Sequence, residues 1–153
     1  FSSFHHSNIN DRHLRFLTMK TSTFWRNLYG SYVTDLFSDV VESVMDNLIS
    51  AVKDDNKKDY RKQSYKKLIE QLEILSQDSK EEKLNIYVCG ALSKSKRKDF
   101  IFFIEELIEE VSENSDLNVE LSFYAVYHPG YQNLKKLIQG GCEKIVKHSM
   151  KVE

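Results

Sequence analysis

Three groups of residues have types and spacings that suit chemistry: a lone thiol, a run of cations and a set of aromatic rings. Cys89 closes the run Leu84-Asn85-Ile86-Tyr87-Val88-Cys89 and precedes a helix start, where the backbone dipole can lower a thiol pKa. A dithiol site would need its second cysteine at position 92, which is Leu92. Two readings of Cys89 remain: a one-cysteine peroxidatic thiol, or a small core residue. Cys142, beside Gly141, is incidental. Lys94, Lys96, Arg97 and Lys98 place four cations in the first turn of that helix. Cations are electrostatically misplaced there, so an anion opposite them would explain their presence: phosphates met without sequence preference, or an acidic protein surface. The alternative is a solvated lysine cluster offset by Glu105, Glu106 and Glu109. Trp25, Tyr29 and Tyr32 either anchor the N-terminal arm on a partner or begin a helix's core face.

Other chemistries lack their signatures. The 153 residues contain no Gly-rich phosphate loop, no paired-histidine metal helix and no Gly-x-Ser-x-Gly elbow. His5, His6 and His13 sit in a basic arm without fixed geometry and read as solvated side chains, so no metal site is expected. The acids Glu105, Glu106, Glu109, Glu110 and Glu113 read as the wet face of their helix. Lys plus Arg number 22 against 23 for Asp plus Glu, which leaves no global electrostatic claim on nucleic acid. Two distant cysteines make neither a disulfide framework nor a zinc site. Even the richest apolar stretch, Phe100 to Val111, is broken by four glutamates, so no membrane-spanning segment is expected. The expectation is a chain with no catalytic residues, no cofactor and no small-molecule substrate.

The elements that would position these residues follow from periodicity. Residues 1–30 form a basic arm: the first 26 hold three of the five arginines and one acid, the composition of a mitochondrial presequence (transit peptide) or its remnant, or of an ordinary basic arm. From Val33 through Leu36, Phe37, Val40, Val41, Val44, Met45, Leu48, Ile49 and Val52, apolar residues recur at helical spacing and predict an amphipathic helix of about 22 residues. So wide a stripe must be buried against another element or another protein. After the charged turn Lys53 to Asp59, a second helix places Tyr65, Leu68, Ile69, Leu72 and Leu75 on one side. Residues 31–77 are therefore a helical hairpin extension, and Gln77 to Lys83 is the boundary.

Beyond it the period changes. Leu84 to Cys89 reads as a central strand. A turn with Ser93 or Ser95 as N-cap leads to a helix whose core face is Phe100, Phe103, Ile104, Leu107, Ile108 and Val111. Val119 to Tyr127 alternates as a half-buried strand, and His128-Pro129-Gly130 ends it. Leu134 to Ile138 and Glu143 to Lys147, joined by Gly140-Gly141, predict a hairpin. The expected fold is α/β: a β-α-β-β-β unit with a mixed sheet over residues 84–150, its first two strands parallel and the hairpin antiparallel.

This pattern resembles the thioredoxin-like domain shared by mitochondrial ribosomal proteins of both subunits and by a small accessory subunit of respiratory complex I. The similar features are the strand ending in Cys89, the Ser-rich basic turn leading into Lys98-Asp99-Phe100-Ile101, and Asn114-Ser115 ahead of a strand. Pro129 before the hairpin and the Gly141 to Val146 strand complete the similarity. The sequence departs from the family in lacking a glycine before the basic residue, in Ser115 for a proline, and in lacking the family's terminal helix; the helical extension is expected to cover the sheet face that helix would cover. The resemblance implies a mitochondrial, matrix or matrix-facing, non-catalytic structural subunit whose partners are protein subunits of a large complex. A mitochondrial ribosomal protein, with ribosomal RNA met through the basic turn, is expected first; an accessory subunit of complex I (NADH dehydrogenase) is the alternative, and a single-cysteine thiol enzyme the third reading.

Overall fold

A computed structural model describes residues 23–28, 31–32, 34–37, 45–79, 83–92, 94–114, 117, 119–128 and 134–145. In chain order the elements are α1 (Thr23–Asn27), α2 (Met45–Lys53), a 3-10 turn (Asp55–Lys57), α3 (Lys58–Ser79) and β1 (Lys83–Cys89). They continue with α4 (Arg97–Asn114), β2 (Glu120–Val126), α5 (Leu134–Gln139) and β3 (Cys142–Lys144). The sheet order is β1-β2-β3, with β1 and β2 parallel and β2 and β3 antiparallel. The fold is thus α/β with a mixed three-stranded sheet, and the expected parallel pairing of the first two strands is observed; the antiparallel member is the single strand β3, not a hairpin.

The residue pattern explains which face goes where. Leu84, Ile86 and Val88 stand in register with Leu121, Phe123 and Ala125, so one face of the sheet is an apolar row two strands wide. That face shares a core with α4, through Phe103, Ile104, Leu107 and Val111, and with the helical hairpin, through Leu48, Ile49, Val52, Tyr65, Ile69 and Leu72. Leu48, Ile49 and Val52 of the expected amphipathic stripe are therefore covered within the chain, while Val33, Val40, Val41 and Val44 lie outside the described residues. The opposite face carries Tyr87 stacked on Tyr124 at 5.4 Å, with Phe24 of α1 edge-on to Tyr87. Beside it Trp25, Leu28, Tyr127 and Leu137 form a smaller cluster that joins α1 to α5.

Four local expectations are corrected. Leu134 to Ile138 is helical, not a strand: Leu134, Leu137 and Ile138 have helical spacing, and Leu137 is buried against Trp25. Gly140, at φ +68°, donates its N–H to the carbonyls of Lys136 and Leu137, so the glycine pair is a helix C-cap and not a hairpin turn. The order after β1 is consequently α-β-α-β. The first long helix does not run on from Val33: Thr34 and Asp35 are irregular, Leu36 and Phe37 form a turn, and the described helix begins at Met45. Phe37 is taken instead into an aromatic site made by Phe103, Tyr60 and Tyr65, at 5.1, 6.2 and 6.2 Å. Finally, the carbonyl that accepts the first bond of α4, from Phe100, is that of Lys96, so the N-cap is Lys96 and not a serine.

Candidate functional site

Cys89 ends β1 with its residue half-buried, and burial pushes its thiol up to about 12. At neutral pH the thiol is protonated, because no cation offsets the loss of water. Cys142 is exposed on β3. Both cysteines stand in register with Val126, on either side of it. Two strand spacings separate them by about 10 Å, beyond the reach of a disulfide.

The basic turn is partly spent inside the chain. Lys96 pairs with Asp46 at the start of α2, and Arg97 donates to Glu143 of β3 at 2.7 Å. The Arg97 hydrogen bond holds the Glu143 carboxyl below its usual range, and the charges of Arg97 and Lys94 act in the same direction. Asp99, in the first turn of α4, accepts from Lys53 at 2.7 Å. Lys94 and Lys98 are the exposed members of the set. The excess positive charge expected at this helix start is therefore largely balanced by acids brought from α2 and β3.

Trp25 is spent internally too. Its ring is 1% exposed and its indole N–H donates to the Leu137 carbonyl at 2.6 Å, which ties α1 to α5. Tyr32 is 56% exposed and remains free for an external contact, while Tyr29 lies outside the described residues.

Two acids read as the wet face of α4 are instead drawn inward. Arg61 of α3 is buried and grips Glu106 with two bonds, Nε to Oε2 at 2.8 Å and Nη2 to Oε1 at 2.9 Å. Its Nη1 donates to the carbonyls of Val52 and Asp54, and the Tyr65 hydroxyl donates to Glu106 at 2.8 Å. Burial works to raise the Glu106 pKa, but the hydrogen bonds from Arg61 and Tyr65 outweigh it and leave the carboxyl below its usual range. Burial and the Glu106 bond push Tyr65 up. One turn further along α4, Glu110 is buried with Lys62 and Lys66 at 3.9 and 4.0 Å. The spacing of Arg61 with Tyr65 and of Glu106 with Glu110, each four apart on facing helices, is the sequence signal for this network.

A cavity of about 460 Å³ runs beside β1. Leu84, Ile86 and Val88 line it from one face of the strand, and Tyr87 and Cys89 from the other. Residues from the 31–37 stretch, α2 and α3 complete the wall, among them Leu36, Leu48 and Leu72. Gln71 also lines it, and its carboxamide oxygen is buried without a hydrogen-bond partner. Among the described residues, no group of three or more His, Cys, Asp or Glu side chains could hold a metal ion, and no helix is long and apolar enough to cross a membrane.

Comparison of the chain with protein families, with curated proteins and with solved structures finds no match.

Proposed function

We propose that the chain is a non-catalytic structural subunit of a large mitochondrial assembly, in first place a mitochondrial ribosomal protein. The observation that carries the non-catalytic part is the state of Cys89. A thiol that burial pushes up to about 12 is protonated at pH 7, and a protonated thiol is a poor peroxidatic nucleophile. The charged side chains of the fold are likewise used in pairs that join elements: Arg61 with Glu106, Lys96 with Asp46, Arg97 with Glu143. The mitochondrial part rests on the basic arm and on the resemblance of residues 84–150 to the thioredoxin-like domain; the mixed sheet is compatible with that domain at the level of an α/β fold.

An accessory subunit of respiratory complex I is the second reading, and the pairing of Lys96 and Arg97 favours it. Cations already neutralised by Asp46 and Glu143 have less to offer RNA phosphates and fit a protein neighbour as well.

Sedimentation of the endogenous, tagged chain from lysed mitochondria tests both. Co-migration with ribosomal particles that collapses on RNase treatment supports the first reading. Migration with a respiratory complex, unchanged by RNase, supports the second. A chain that sediments only as a free monomer overturns both.

A further inference from the structure

We draw no further inference here: the strongest candidate, the open apolar groove beside β1 with the buried Gln71 carboxamide oxygen in its wall, carries nothing because nothing in the structure shows what covers it.

Discussion

Arg61 and Glu106 form a two-pronged ion pair between α3 and α4, with bonds of 2.8 and 2.9 Å, and it is the main polar tie between the helical hairpin and the helix that covers the sheet. The guanidinium is 2% exposed and the carboxylate 22%, so removing one partner leaves the other charge largely cut off from water. Arg61→Met is therefore expected to lower stability by about 3 kcal/mol. Tyr65→Phe, which deletes one bond to the same carboxylate, should cost about 1–2 kcal/mol. Urea unfolding of both single variants and the double variant should show costs that do not add, because they share Glu106. Additive costs would mean that the three groups do not act as one network.

The same pair sets an acid limit. Glu106 is held below the ordinary carboxylate value of 4.5 in the folded chain. Its contribution is thus fully present above the unfolded value and is lost as pH falls through the lower, folded one. Urea midpoints of the native chain and of Glu106→Gln should differ most at neutral pH and draw together as pH falls below 4.5 towards the lower, folded value. His128 acts at a higher pH, because burial depresses its pKa below 6.5. Folding disfavours its protonation, so stability should begin to fall as pH drops through 6.5, and His128→Gln should flatten that part of the profile.

Thiol reactivity separates the two cysteines. Exposed Cys142 is open to iodoacetamide and should be alkylated readily at pH 7.5. Cys89, pushed up to about 12, should react at least about a hundredfold more slowly, and should yield no sulfenic acid with peroxide. Mass spectrometry of Cys89→Ser and Cys142→Ser reads each thiol alone. Comparable rates would return the thiol-enzyme reading to contention.

Gly140 should resist substitution for two reasons at once. Its φ is +68°, and a Cβ there would lie 2.6 Å from the ring of Phe24. Gly140→Ala is expected to cost about 2 kcal/mol, with backbone strain and the displaced ring both contributing. Gly141, at φ +134°, has nothing within 4 Å, so Gly141→Ala should carry the backbone penalty alone. Thermal melts of the two variants compare them, and equal costs would show that the ring gives way freely.

The elements that were legible in the sequence are those whose period is set by a single buried face. The α4 core face, with Phe100, Phe103, Ile104, Leu107 and Val111 buried, follows directly from spacing, as does the parallel pairing of β1 and β2. Leu134 to Ile138 was ambiguous because five residues with three apolar ones fit either period; burial of Leu137 beneath Trp25 decided it. The non-helical course of residues 34–37 was hidden because the aromatic site that accepts Phe37 is built from α3 and α4, far along the chain. The basic turn was visible as four cations, but not its neutralisation by Asp46 and Glu143, which are 50 and 46 residues from Lys96 and Arg97. Long-range pairing of this kind has no local signature. The same holds for the place of β1: a run of residues that reads as central is at the border of the sheet among the described residues.

The central claim is that this chain works as a fixed part of something larger. Purification of the tagged chain from intact mitochondria, with quantitative mass spectrometry of everything that co-elutes, measures that directly. A constant, defined set of proteins at fixed ratio to the chain is expected, retained in Cys89→Ser and belonging to one large particle. Recovery of the chain alone, or loss of those proteins in that variant, would contradict it.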